Sequence, residues 1–341
     1  MTARTPTSRT HVVILDGTLS TLAPGEKTNA GILFALLRKR ADPNVLVHYA
    51  PGIQWRGWRK ARRVIAGTGI NRQIKRAYRM LARDWQPGDK VFLFGYSRGA
   101  YGVRSLAGVI DLHGLMRPEH ASETNVSRLY RYYCEGRDAR FAAKFSKRYC
   151  WPKGEVQVEM IGVWDTVKAL GLRAPLVWRW LPSATEFHSD ELSQIVGAGY
   201  HALAHDERRV AFAPVLWRCP EGFQGRAEQV WFPGTHPDVG GQVAMRPAAR
   251  GLSNIALVWM LEKAEAHGLG LPDGWAEDYP TEALAPSMGM NFGFGWLFRN
   301  RRRRTVGRDP SESVHPSVAA RAAQTQLRFR RLRALRFGGG G

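Results

Sequence analysis

With 341 residues and 44% hydrophobic content, the chain can bury one large core or two ordinary ones, which excludes neither an enzyme nor a binding scaffold. Lys and Arg total 50 against 29 acids, a formal charge of +21 that draws the surface toward phosphates, nucleic acid or anionic lipid. The three cysteines, Cys134, Cys150 and Cys219, have no metal-site spacing and cannot all pair, which excludes a disulfide framework, and no apolar run reaches the ~18 residues of a bilayer span.

His11 to Leu15 reads as a strand that stops at Asp16-Gly17-Thr18, a turn composition. From Thr28 to Lys39, Ile32, Leu33, Leu36 and Leu37 recur at helical spacing, with Thr28 or Asn29 as the cap. Val45 to Tyr49 is a second strand, and Asn71 to Trp85 a helix with Ile74, Ala77, Tyr78 and Leu81 on one face. Pro87-Gly88-Asp89 breaks that helix before the apolar run Val91 to Phe94, which ends in Gly95-Tyr96-Ser97-Arg98-Gly99. A helix from Arg98 to Ile110 follows. Asn125 to Tyr149 is a polar, tyrosine-rich helical stretch, Val156 to Trp164 a strand ending at Asp165, and Gly197 to Glu207 a helical turn region. Gln229 to Phe232 is a short strand ending in Pro233-Gly234-Thr235-His236-Pro237-Asp238, and Leu252 to His267 an amphipathic helix closed by Gly268.

Strands alternating with helices imply an α/β fold with a mostly parallel sheet covered on both faces. In such a sheet, residues just beyond the C-terminal strand ends gather along one edge. Four runs end there in a chemically useful residue: Asp16, Ser97, Asp165 and His236.

Gly-x-Ser-x-Gly after a buried strand is the nucleophile-elbow pattern, in which a tight strand-to-helix turn presents the serine hydroxyl above the sheet. A serine hydroxyl needs a histidine to take its proton and a carboxylate to orient the imidazole. The order Ser97, Asp165, His236 supplies nucleophile, acid and base in α/β-hydrolase order. The backbone N–H of Arg98, with that of Gly17 or Thr18, is the expected oxyanion hole. Asp16 and Asp238 are expected in supporting roles, Asp238 steadying the Gly-rich turn at His236, and each is also an alternative to Asp165 as the acid. Among the ten histidines His315 competes with His236 as the base, while His201 and His205, placed in a helical pattern, are expected to be structural.

Two other chemistries compete. Asp16-Gly17-Thr18 resembles the first motif of haloacid-dehalogenase-type phosphatases, but Ile14 stands where the nucleophilic aspartate would be. Asp16, Asp165, His236 and Asp238 have suitable donor atoms for a divalent metal, which would leave the elbow unexplained, so neither metal nor cofactor is expected.

The chain resembles the family of α/β-hydrolase domains that includes phospholipase effectors of the bacterial type VI secretion system. The resemblance rests on Leu15-Asp16-Gly17-Thr18, Thr28-Asn29, Gly95 to Ala100, Gly162 to Val167, His201 to Arg209, Trp231 to Gly241, Leu252 to Leu261 and His315 to Val318, in family order over nearly the whole chain. It implies a serine ester hydrolase cleaving acyl esters of lipids, with a phospholipid membrane as substrate surface, and it implies a secretion-system component or an immunity protein as partners. Two departures bear on the entrance. Leu19-Ser20 replaces the family's Trp-Asn, and the Gly-rich turn after the second strand is reduced to Pro51-Gly52-Ile53-Gln54.

The expected organisation is a flexible start over 1–10, one catalytic domain over 11–325 and a basic tail over 326–341. Within the domain, 170–182 mixes Trp178, Trp180 and leucines with Arg173 and Arg179, as a lid or interfacial helix would. The 290–308 loop carries Arg299 and Arg301 to Arg304, read as a second contact for anionic headgroups. The competing reading is a non-catalytic basic protein binding membrane or nucleic acid, although no nucleic-acid motif accompanies the charge. Met1 to Thr10 is polar and the run after it is too short for a signal peptide, so the expectation is synthesis in the cytoplasm, with any export by a signal-independent route.

Overall fold

The computed structural model describes residues 8–52, 68–136, 138–167, 191–219, 226–291 and 298–324. The expectations for 170–182 and for the basic tail lie outside these residues. Among the described residues seven strands form one sheet: β1 (Thr10–Leu15), β2 (Val45–Ala50), β3 (Lys90–Tyr96), β4 (Val158–Trp164), β5 (Ala198–Ala204), β6 (Arg226–Phe232) and β7 (Glu312–Val314). Their order is β2-β1-β3-β4-β5-β6-β7, and every pairing is parallel.

Alternation along the strands divides the core into two layers, because successive side chains point to opposite faces. Val13, Leu15, Val91 and Leu93 pack under α2 (Thr68–Asp84) and α3 (Arg98–His113), with α4 (Glu123–Glu135) and α5 (Ala139–Tyr149) beyond them. Val12, Ile14, Phe92 and Phe94 face the other way, toward α1 (Asn29–Arg40) and α7 (Arg250–Ala266). With both faces covered, β3 is buried from Val91 to Tyr96, which is why its sequence reads as a continuous apolar run.

One expectation changes and another is refined. Most of the stretch 197–207, from Ala198 to Ala204, is the fully buried strand β5 rather than a helical turn. Small residues suit this central position because little room is left on either face: a Cβ on Gly199 would lie 2.8 Å from the Leu192 side chain. The stretch from Asn125 to Tyr149 is two helices, since Gly136 ends α4 in the left-handed region and Asp138 starts α5 there (φ 58° and 59°).

The sheet register levels the strand ends that matter. Leu15 pairs with Gly95 and Tyr96 with Trp164, so Asp16, Ser97 and Asp165 each leave the sheet at neighbouring ends. β1 and β3 are adjacent, while the chain after β1 goes to β2 on the opposite side. That reversal of direction is the switch point at which open α/β sheets place their sites.

Candidate active site

Ser97 sits between β3 and α3 with φ 57° and ψ −118°, a conformation that non-glycine residues rarely adopt. The flanking glycines make the turn sterically possible. A Cβ at Gly95 would fall 2.6 Å from the Ala100 nitrogen, and one at Gly99 only 1.9 Å from the Leu15 carbonyl oxygen. The backbone N–H of Ser97 donates to the Trp164 carbonyl (2.9 Å), tying the turn to the end of β4.

His236 opens the short helix α6 (His236–Gly240), whose start is held by reciprocal bonds between Thr235 and Asp238. Asp238 accepts from the Thr235 N–H (2.7 Å), the Ser287 hydroxyl (2.5 Å) and the Met288 N–H (2.7 Å). It therefore braces the turn and does not reach the imidazole through these bonds.

The Ser97 hydroxyl lies 2.9 Å from His236 Nε2, and His236 Nδ1 lies 2.6 Å from Asp165 Oδ2. All three are buried, Asp165 completely. Burial alone would raise the Asp165 carboxyl, but the Arg304 charge and hydrogen bonds from His236 and Arg304 outweigh it and hold it well below the usual carboxylate range. An ionised Asp165 only accepts, so Nδ1 carries the imidazole proton and Nε2 is left as acceptor for the Ser97 O–H. The three side chains thus form a directional chain able to draw a proton off the hydroxyl.

Arg304 is a correction. Read from sequence as part of a headgroup-facing basic block, its side chain is 5% exposed and turned inward. Nη1 donates to Asp165 Oδ1 (2.5 Å) and the Ala204 carbonyl (2.8 Å), and Nη2 to Asp165 Oδ2 (2.9 Å) and the Phe212 carbonyl (2.5 Å). An arginine with its charge matched and its terminal N–H groups bonded to a carboxylate and backbone carbonyls tolerates burial that a lone cation does not.

A second buried ion pair lies behind His236. Glu207 Oε2 accepts from the His236 N–H (3.1 Å), and the carboxylate takes the Arg209 fork at 2.8 and 2.6 Å. The Arg209 guanidinium lies 4.1 Å from the Phe212 ring centre, and Phe212 in turn packs on the His236 ring at 4.8 Å. In the sequence Glu207 and Arg209 stand out only as the end of the family-like segment His201 to Arg209. Their local signal is the alternation of charge over Asp206 to Arg209, which looks like a solvated face until the fold buries it.

Asp16 stands apart from the imidazole. Its carboxylate accepts from the Thr28 hydroxyl, the Tyr49 hydroxyl (both 2.7 Å) and the Gly17 N–H (2.6 Å), while burial pushes its carboxyl up. Thr28 also caps α1 by accepting from Gly31 N–H (3.0 Å), so one side chain joins the β1 end to the helix. Of the expected oxyanion donors, the Arg98 N–H begins α3 beside Ser97, and the Gly17 N–H is taken up by Asp16. The Arg98 guanidinium donates to the Thr18 hydroxyl, drawing that loop toward the elbow. His315 does not meet Ser97. Its Nδ1 pairs with the Ser317 hydroxyl (2.7 Å) and its ring stacks on Phe232 (4.8 Å). His201, on β5, accepts from the Thr166 N–H (3.1 Å).

No group of three or more His, Cys, Asp or Glu side chains spaced to hold a metal occurs among the described residues, and no described helix is long and apolar enough to cross a membrane.

A parallel sheet with a strained serine at a strand-to-helix turn and an imidazole at hydrogen-bond distance defines an α/β-hydrolase-like protein. Residues 9–263 match the family described as "T6SS, Phospholipase effector Tle1-like, catalytic domain". The chain belongs to this family. It is 26% identical over 232 residues to an uncharacterized protein of Saccharomyces cerevisiae, covering 59% of this chain and 31% of that protein. Among solved structures, an uncharacterized protein from Pseudomonas aeruginosa is similar at 16% identity and TM-score 0.46, over 81% of this chain and 49% of the other. A Tle1 effector bound to the VgrG spike of the type VI secretion system is similar at 18% identity and TM-score 0.34, over 69% and 51% of the two chains. Esterase 2 of Thermogutta terrifontis is similar at 13% identity and TM-score 0.38, over 78% and 86%. The chain thus spans about a third of the yeast relative and about half of the first two structural relatives.

Proposed function

We propose that the chain is a serine-dependent carboxylic ester hydrolase that cleaves acyl esters of membrane phospholipids. The observation that carries this is the hydrogen-bonded series Ser97–His236–Asp165 at a strained elbow. Ser97 Oγ attacks the acyl carbonyl carbon while its proton passes to His236 Nε2, and the carbonyl electron pair moves onto oxygen. The Arg98 N–H, with the Thr18 N–H as second donor, receives that oxyanion, since the Gly17 N–H is engaged by Asp16. Collapse of the tetrahedral species expels the alcohol, protonated by His236, and leaves an acyl-serine. Water, deprotonated by the same imidazole, then releases the fatty acid and restores Ser97. Asp165 keeps the imidazole in the tautomer that each transfer needs.

The phospholipid substrate is supported by the family and by the excess of 50 basic over 29 acidic residues, which favours an anionic bilayer surface. A type VI secretion component as delivery partner, and an immunity protein that blocks the site, are extensions of the same family membership. Purified protein should release fatty acid from vesicles of phosphatidylethanolamine and phosphatidylglycerol and should be labelled at Ser97 by a fluorophosphonate. Ser97→Ala should lose both and keep its circular dichroism. Equal fatty-acid release by the variant would refute the mechanism, while salt-sensitive vesicle binding with no labelling of Ser97 would favour a non-catalytic basic binder.

A further inference from the structure

The Asp165 carboxylate is not devoted to the imidazole. Oδ2 accepts from both His236 Nδ1 (2.6 Å) and Arg304 Nη2 (2.9 Å), and Oδ1 accepts from Arg304 Nη1 (2.5 Å) and the Ala204 N–H (3.0 Å). The guanidinium therefore grips the carboxylate through both oxygens, the fork geometry that fixes a carboxylate in rotation as well as in place. Its two remaining terminal N–H groups bond the Ala204 and Phe212 carbonyls, so Arg304 is itself fixed by β5 and by the segment that carries Phe212 onto the His236 ring.

Backbone pairing brings this side chain in from a distant part of the sequence. The Arg302 N–H donates to the Arg208 carbonyl (2.7 Å) and the Val210 N–H to the Asn300 carbonyl (3.0 Å), an antiparallel contact of 300–302 with 208–210. Phe298 packs edge-on against Phe212 (5.5 Å) at the start of the same segment.

The charges around His236 balance in pairs. Asp165 faces the imidazole from the end of β4 and is matched by Arg304, while Glu207 faces it from the segment after β5 and is matched by Arg209. On α6 itself Asp238 is turned to Thr235, Ser287 and Met288, and on β3 Tyr96 presents a neutral ring (5.0 Å) and a hydroxyl to the His236 carbonyl (3.3 Å). Removing Arg304 alone would leave one uncompensated negative charge against an imidazole that must alternate between neutral and cationic forms.

We propose that Arg304 is a positioning residue of the Ser97–His236–Asp165 series, which holds the Asp165 carboxylate toward His236 and offsets its charge, so that activity extends further into acid. The inference rests on the serine-hydrolase reading above and adds to it a residue and a pH range. The imidazolium and the guanidinium are like charges that share Asp165 Oδ2, so each opposes the other, an effect of about one pH unit or more on the acid limb.

The test is the pH dependence of hydrolysis of 4-nitrophenyl butyrate, and of the rate of fluorophosphonate labelling of Ser97, in wild type, Arg304→Gln and Arg304→Lys. Arg304→Gln should move the acid limb of both profiles upward by about one unit, losing about ten-fold activity below the limb beyond any loss on the alkaline plateau. Arg304→Lys keeps the charge and loses the fork, so its limb should stay at the wild-type position while the plateau falls. An Arg304→Gln limb that coincides with wild type overturns the proposal whatever happens to the plateau, because a merely structural role lowers activity at every pH alike. A full-unit upward shift in Arg304→Lys, which remains informative if Arg304→Gln does not fold, overturns it too. Wild-type protein that neither labels nor hydrolyses ends the serine-hydrolase reading itself, an outcome distinct from labelling with an unmoved limb.

Discussion

Asp165→Asn tests the site at one atom. The new amide oxygen can take the place of Oδ1, accepting from the Ala204 N–H and Arg304 Nη1, which puts an amide NH2 where Oδ2 stood. That NH2 then faces His236 Nδ1–H and Arg304 Nη2–H, donor against donor, where the wild-type bonds are 2.6 and 2.9 Å. The imidazole relieves the clash by moving its proton to Nε2, where it can no longer accept from Ser97. Wrong-tautomer variants of such sites lose roughly 10⁴-fold in turnover. Stability falls as well, because Arg304, only 5% exposed, keeps its charge without a counter-ion. Breaking one side of a buried pair costs ~3–5 kcal/mol, a large part of the ~5–15 kcal/mol that holds a domain folded. Thermal unfolding followed by circular dichroism should show a drop of roughly 5–15 °C. The double variant Asp165→Asn, Arg304→Met removes both charges and should recover most of the stability but none of the activity. An Asp165→Asn protein that unfolds within a degree of wild type, or hydrolyses esters within ten-fold of it, would refute the reasoning.

Other consequences follow from the same geometry. Gly99→Ala puts a Cβ 1.9 Å from the Leu15 carbonyl oxygen, so the elbow must shift; a loss of ~1–3 kcal/mol in urea unfolding with labelling of Ser97 slowed at least ten-fold is expected, and wild-type labelling would count against the close packing of β1 and the elbow. Thr28→Ala removes both the α1 cap and a donor to Asp16, which should cost ~0.5–2 kcal/mol, whereas Thr28→Ser should retain most of it. Burial pushes His113 down to about 4, and burial with the Arg104 charge pushes His201 down to about 3, from an ordinary histidine value of 6.5. The unfolded chain binds these protons first, so stability is full above pH 6.5 and is lost as pH falls toward 4, by up to ~1.4 kcal/mol per pH unit for each group. Asp165, depressed in the folded state, adds a loss only below the ordinary carboxylate range. Equal urea midpoints at pH 7 and pH 5 would contradict the first window, and His113→Gln should flatten it.

Much of this site is legible from local pattern. An apolar run of strand length followed by a turn marks where a chain leaves a parallel sheet, and Asp16, Ser97, Asp165 and His236 all stand at such exits. Parallel strands share their direction, so residues scattered over more than two hundred positions were bound to meet at one edge. Composition misled at β5: Ala198 to Ala204 has helical propensity, and only its place between β4 and β6 imposes the extended form. Glu207, Arg209 and Arg304 escaped for a different reason. A charged side chain in a basic or alternating run looks solvated, and whether it turns inward depends on which carboxylate the rest of the fold has left buried nearby.

The strand ends, and the chain order Ser97, Asp165, His236 at three of them, are set by the sequence alone, because periodicity and turn chemistry are local and survive without knowledge of neighbours. Tertiary structure alone decided which acidic group serves His236 and what balances its charge. Asp165 and Arg304 are 139 residues apart, and their pairing exists only because the antiparallel contact of 300–302 with 208–210 carries the guanidinium to the Asp165 carboxylate.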